Sequence, residues 1–149
     1  MKIALGADHG GAQQKESLLA HLTQQGFEVT DLGASCADGS VDYPDYALAV
    51  AHAVAAGVAD FGILICGTGI GMAMAANKVA GIRAATVTDV NTAYLARQHN
   101  NANILCLSGR FTPPATNIEI VDAFIGAQFE GGRHQRRLDK IAEAEKEQE

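Results

Sequence analysis

Short apolar, β-prone runs recur along this chain at Lys2–Ala7, Glu28–Leu32, Phe61–Cys66, Ala84–Val87 and Ile104–Leu107, and helical patterns fill the intervals. In Gly11–Gln25, Leu18, Leu19 and Leu22 recur at spacings of three and four, with Gly26 as a stop. Tyr43–Ala56 sets Ala47, Val50, Ala51 and Val54 on one stripe and ends at Gly57. Gly71–Lys78 is short and alanine-rich, and Asp89–His99 opens on a capping aspartate. Pro114–Gly126 starts with proline in its first turn and aligns Ile118, Val121 and Ile125. Gly132–Lys146 runs into a charged tail, Glu143–Glu149. Five strands alternating with helices predict an α/β fold, a parallel sheet with helices on both faces. The continuously apolar run Phe61–Cys66 reads as a central strand covered on both sides. The longest polar stretch, Gly33–Asp42, is too short to divide the chain into separate domains, so residues 1–149 read as one domain.

Composition narrows the function classes. With 48% hydrophobic and 19% charged residues the chain buries a core, which excludes disorder. A net charge of −6, no tryptophan and 5% aromatics offer nucleic acid neither an electrostatic footprint nor a stacking platform. No apolar run approaches the ~20 residues that cross a bilayer; Phe61–Cys66 is interrupted at once by Gly67, Gly69 and Gly71. The start, Met1-Lys2-Ile3-Ala4-Leu5-Gly6, lacks the apolar segment of a signal peptide. Cys36, Cys66 and Cys106 form no C-x-x-C pair, which argues against a disulfide framework or a zinc site. The expectation is a cytoplasmic protein with free thiols.

Ligands of open α/β sheets bind beyond the carboxyl ends of the strands, which selects the residues just after each run. The first run leads into Asp8-His9-Gly10-Gly11, either a hydrogen-bonding pair for a polar ligand or a helix cap with an incidental histidine. The third leads into Cys66-Gly67-Thr68-Gly69-Ile70-Gly71, whose alternating glycines bring backbone N–H groups close to a bound anion. Met72 breaks the dinucleotide pattern G-x-G-x-x-G, and no G-K-[ST] follows to make a P-loop. At this position Cys66 is either a small buried apolar residue or a thiol whose pKa is drawn from ~8.5 toward neutrality, fit to act as nucleophile or base. Cys106, inside the fifth run, reads as core, and Cys36 lies in a loop with no candidate partner near it in sequence. His99 closes a helix beside Asn100 and near Asn103, and Arg110 follows the fifth run. Arg133 and Arg137, four residues apart on one helix face, repel unless an anion such as phosphate lies between them; the alternative is a solvated face flanked by Glu130 and Asp139. Together these groups fit proton-transfer chemistry on a small phosphorylated molecule.

Seven motifs then fall in order: Asp8-His9-Gly10-Gly11, Asp42-Tyr43-Pro44, Ile65 to Gly71, Ala75-Ala76-Asn77-Lys78, Gly81-Ile82-Arg83-Ala84, Arg97-Gln98-His99-Asn100 and Gly131-Gly132-Arg133-His134. In these the chain resembles the type B ribose-5-phosphate isomerases, within the family that also holds allose-6-phosphate and galactose-6-phosphate isomerases. The resemblance covers about Met1 to Ile141. It implies a Rossmann-like, three-layer α/β/α sandwich with a five-stranded parallel sheet, working as a homodimer or dimer of dimers with an active site shared between subunits. It implies no metal and no organic cofactor. The reaction implied is the interconversion of ribose 5-phosphate and ribulose 5-phosphate through an enediolate, in the non-oxidative pentose phosphate pathway.

By residue, the resemblance puts the general base on Cys66 and ring opening on His99, with Thr68 and the amides of Gly67, Thr68, Gly69, Ile70 and Gly71 holding the enediolate oxygens. Asp8, His9, Tyr43 and Asn100 would meet sugar hydroxyls. Arg110, Arg133 and Arg137 would hold the phosphate, the last two reaching across from the partner. Relatives without this cysteine carry a glutamate base just after the glycine loop; here that position is Met72, so the chain resembles the cysteine branch. A six-carbon sugar phosphate needs a pocket only one carbon deeper, a difference of ~1–3 kcal/mol, and stands as the neighbouring alternative. A non-catalytic sugar-phosphate or nucleotide-binding module would need the glycine loop and arginines but neither Cys66 nor His99.

Overall fold

A computed structural model describes residues 1–148. Five strands, β1 (Lys2–Ala7), β2 (Glu28–Asp31), β3 (Phe61–Cys66), β4 (Ala84–Thr86) and β5 (Ile104–Ser108), form one parallel sheet in the order β2-β1-β3-β5-β4. Six helices accompany them: α1 (Ala12–Gln24), α2 (Tyr43–Ala55), α3 (Ile70–Ala76), α4 (Val90–Gln98), α5 (Pro114–Gly126) and α6 (Arg133–Lys146). The charged tail continues α6 to Lys146, and its last residue, Glu149, lies outside the described residues.

Alternation along the strands sorts the core into two layers. Ile3, Leu5, Ile63, Ile65, Leu105 and Leu107 meet Leu18 and Leu22 of α1 and Ile120, Val121 and Phe124 of α5. Ala4, Leu64, Cys66, Ile104 and Cys106 meet Ala47, Val50, Ala51 and Val54 of α2 and Met72 and Ala76 of α3. The second layer is thin because small residues face each other across it. A Cβ on Gly62 would stand 2.6 Å from Val50 Cγ1, and one on Gly6 2.8 Å from Val50 Cγ2.

Local signals set most helix ends as expected. Gly26 and Gly57, at φ +90° and +76°, follow the last turns of α1 and α2 in the left-handed conformation that glycine adopts without strain. Asp89 caps α4, its Oδ1 accepting the Thr92 N–H at 2.9 Å. Two expectations need correction. The inward stripe of α5 is Asn117, Ile120, Val121 and Phe124, while Ile118 and Ile125 are only partly buried. The third helix, expected over Gly71–Lys78, runs from Ile70 to Ala76, because Gly69 at φ +81° turns the chain one residue earlier, so Ile70 is helical rather than loop.

In this sheet order the chain leaves β1 toward β2 on one side and reaches β3 on the other. The crevice beyond the carboxyl ends of β1 and β3 is therefore the topological switch point.

Candidate active site

Three loops meet at that crevice: Asp8–Gly11 after β1, Gly67–Gly69 after β3 and Gly109–Pro113 after β5. Their backbones are bonded to one another. Asp8 N–H reaches Ile65 O at 3.3 Å, Gly109 N–H reaches Cys66 O at 2.7 Å and Arg110 N–H reaches Gly67 O at 3.1 Å. Glycine is required by proximity: a Cβ on Gly109 would overlap Gly10 O, and one on Gly11 would lie 2.5 Å from Ile65 O. Asp8 is buried and its Oδ1 accepts the Gly10 N–H at 2.8 Å, bracing the turn rather than capping α1.

Cys66 ends β3 with 5% of its surface exposed, and its Sγ accepts the backbone N–H of Gly69 at 3.1 Å. Thr68 Oγ1 accepts the Ile70 N–H at 3.2 Å, which orients the hydroxyl at the rim of the loop. The Tyr43 ring lies over Gly71, where a Cβ would approach its Cζ to 2.6 Å. The Arg110 guanidinium lies over Gly67, 3.4 Å from the position of a Cβ there. His9 Nδ1 accepts the Val41 N–H at 3.1 Å, so in the neutral ring the proton sits on Nε2. His9 and Arg110 share a cavity of about 440 Å³ with Gln13, Ser17, Phe111 and Thr112. Cys106, one strand away, is a different thiol: burial first, then the neighbouring Cys66, push its pKa far up.

Two polar residues that sequence reasoning missed hold the third loop in place. Gln14 Nε2 donates to Gly109 O at 3.0 Å and Thr112 O at 2.9 Å, the carbonyls on either side of Arg110. Asn117 Nδ2 donates to Gln14 Oε1 at 2.7 Å and Ser108 O at 2.9 Å. The signal was present for Asn117, the one polar residue in the inward stripe of α5, whereas on α1 Gln14 shares the buried face with Lys15.

The other candidate residues lie elsewhere. His99 caps the carboxyl end of α4, and Asn103, just before β5, accepts from Gly62 N–H at 2.9 Å and donates to Arg83 O at 3.0 Å. His99, Asn100, Arg133 and Arg137 therefore belong to the amino edge of the sheet. At about 3.3 Å per residue the six residues of β3 set the two edges roughly 16 Å apart. Arg133 and Arg137 are exposed on α6 and Asn100 lines a groove beneath it. Here Arg97 stacks over Phe61, 4.4 Å from the ring centroid, and donates to Asn101 Oδ1 and Ala102 O. Burial, then Arg83, lower its pKa below the usual arginine range.

Among the described residues, His99, Glu130 and His134 bring one ligand atom each within 4.8 Å of one another. The two rings are stacked, centroids 4.3 Å apart and planes 13° from parallel, so their in-plane lone pairs do not converge on one ion. No described helix is long and apolar enough to cross a membrane.

The family model for ribose/galactose isomerases matches residues 3–141. The chain is similar to Escherichia coli ribose-5-phosphate isomerase B, at 49% identity over 144 residues covering 97% of this chain and 96% of the relative. Its fold superposes on the Clostridium thermocellum ribose-5-phosphate isomerase B with a TM-score of 0.97, at 48% identity over the full length of both. It superposes on the Mycoplasma genitalium enzyme, solved with bound ribulose-5-phosphate, with a TM-score of 0.95 at 54% identity, covering 98% of this chain and 97% of that one.

Proposed function

The chain belongs to the ribose/galactose isomerase family, and on that premise we propose that it interconverts ribose 5-phosphate and ribulose 5-phosphate, an aldose–ketose isomerisation. The relatives named for this reaction and the ribulose-5-phosphate bound to one of them support the substrate. The observation that carries the chemistry is Cys66 Sγ, buried at the end of β3 and accepting the Gly69 N–H. Cys66 as thiolate takes the proton from C2 of the open-chain aldose and returns it to C1. The proton on O2 passes to O1, and the bond order shifts from C1–O1 to C2–O2. The negative charge of the enediolate needs donors fixed in advance, and each is worth ~3–4 kcal/mol at comparable sites. Thr68 and the amides of Gly67 and Gly71 fill that role, while the N–H groups of Gly69 and Ile70 are given to Cys66 Sγ and Thr68 Oγ1 and brace the base and the hydroxyl. Arg110, with Arg133 and Arg137, binds the phosphate, while Asp8, His9, Tyr43 and Asn100 meet the hydroxyls. His99 opens the furanose.

A general acid or base must come within ~3 Å of its proton, and His99 belongs to the edge opposite Cys66. The reading therefore includes a homodimer in the cytoplasm, in which His99, Asn100, Arg133 and Arg137 of one subunit complete the crevice of the other. The test is proton NMR of the protein with ribose 5-phosphate in D₂O beside Cys66→Ala. Ribulose 5-phosphate formed by the wild type alone supports the reading. Turnover of allose 6-phosphate instead moves the substrate to six carbons, and equal turnover by Cys66→Ala rejects the base.

A further inference from the structure

The carboxyl end of α4 and the start of α6 are joined at two points. Glu130 N–H donates to Gln98 O at 3.0 Å, tying the linker before α6 to the last residue of α4. One turn further on, the His134 ring lies flat against His99. His134 is 5% exposed, and its Nε2 bonds Glu130 Oε2 at 3.2 Å. The backbone that permits this is specific: Gly131 and Gly132 stand at φ +70° and +57°, reversing the chain so that the first turn of α6 comes beneath the α4 cap. An imidazole at a helix end, with two side-chain torsions, would otherwise sample several rotamers. Here one face of His99 is covered by a ring that is itself pinned by a carboxylate.

We propose that Glu130 and His134 are positioning residues for His99, holding its imidazole in the orientation that opens the furanose ring. This rests on the isomerase reading and adds to it a separation of labour: the pair serves ring opening and not the proton transfer at Cys66. A displacement of the order of 1 Å in such a group costs up to ~10²-fold in rate. Because Arg133 and Arg137 flank His134 on the same helix, the pair also fixes the ring-opening group relative to two of the phosphate-binding arginines.

The two steps separate experimentally, because ribulose 5-phosphate is acyclic. Exchange of its C1 hydrogen with D₂O needs enolisation but no ring opening, whereas net turnover of ribose 5-phosphate needs both. The full-length protein and its His134→Ala, Glu130→Ala, Glu130→Gln and His99→Ala variants are compared by proton NMR in both assays. The expected result is a loss of about tenfold or more in ribose 5-phosphate turnover for His134→Ala and Glu130→Ala. Their C1 exchange should stay within about twofold of wild type, and Glu130→Gln, which still accepts a hydrogen bond, should recover most turnover, while His99→Ala should lose at least as much ribose 5-phosphate turnover as either alanine variant. Glu130 is exposed, so its alanine variant reports even where removal of the buried His134 prevents folding. Both rates falling together marks a merely structural pair and overturns the proposal, as does neither rate changing. A wild type that neither turns over ribose 5-phosphate nor exchanges the C1 hydrogen of ribulose 5-phosphate overturns the isomerase reading itself, an outcome distinct from either.

Discussion

The two edges of the sheet are built from different materials. At the carboxyl edge three glycine-bearing loops bond to one another through main-chain atoms, and the amide of Gly69 points at Cys66 Sγ. At the amino edge the chain is held by side chains: Arg97 on Phe61, Arg83 Nε on Asn101 O, Asn103 on Gly81 and Arg83, His134 on His99. The first edge offers a thiol and a rigid set of donors with Arg110 as its cation. The second offers imidazole and two exposed arginines with no nucleophile. The thiol stands on one edge and the His99 ring with the pair of exposed arginines on the other, and the depth of the sheet keeps them apart within one chain.

The sharpest way to break this comparison is to remove the thiol. Cys66→Ala should lower kcat by on the order of 10³-fold while leaving KM within a few-fold, measured by NMR turnover. A shared site makes the next prediction. At ribose 5-phosphate well below KM, where each is inactive or weak alone, Cys66→Ala and Arg137→Ala chains should recover about a quarter of the wild-type rate when mixed at random. Half of such dimers are hybrids, and each hybrid carries one intact site. No recovery in verified mixed dimers would confine both residues to one chain. Arg137→Ala alone should raise KM about tenfold or more with a smaller change in kcat, as expected for loss of a charge-assisted hydrogen bond.

Smaller effects test the scaffolds. Asn117→Leu strands Gln14 Oε1 and Ser108 O and should cost about 1–3 kcal/mol in urea denaturation, with a rise in KM as the Arg110 loop loosens. The capping carboxylate of Asp89 has its pKa lowered from 3.8 by the Thr92 N–H and hydroxyl. Its contribution is complete above the unfolded value and fades as pH falls through the lower folded value. The difference in Tm between wild type and Asp89→Ala should therefore shrink below about pH 4.

How much of this was legible in the sequence follows from what each feature depends on. The alternation of apolar runs and helices carried the five parallel strands, since strand burial and helix amphipathicity are local patterns. The glycine loop after Cys66 was legible because Gly69, at φ +81° and with Leu107 O 3.0 Å from the position of a Cβ, leaves no substitute for glycine at its turn. The phase of α5 was not: Ile118, Ile120, Val121, Phe124 and Ile125 cover much of its circumference, because it packs on α4 and α1 as well as the sheet, so two faces compete. Asn117 and Gln14 escaped notice because a polar residue in an inward stripe shows its partner only in three dimensions. The distance between His99 and Cys66 was implicit in the alternation, since each helix returns the chain to the amino edge before the next strand begins.

The donors that reach Cys66, His9 and Asp8 at the carboxyl edge belong to the main chain: Gly69, Val41 and Gly10 in turn. A substitution scan, which exchanges side chains only, cannot delete them. At Val41 any residue but proline still presents the N–H that bonds His9. Such a scan would record this edge in negative, as a line of glycines that tolerate nothing around two or three sensitive side chains. Ester-for-amide replacement, which removes a single N–H and leaves every side chain in place, is the alteration to which this half of the molecule is open.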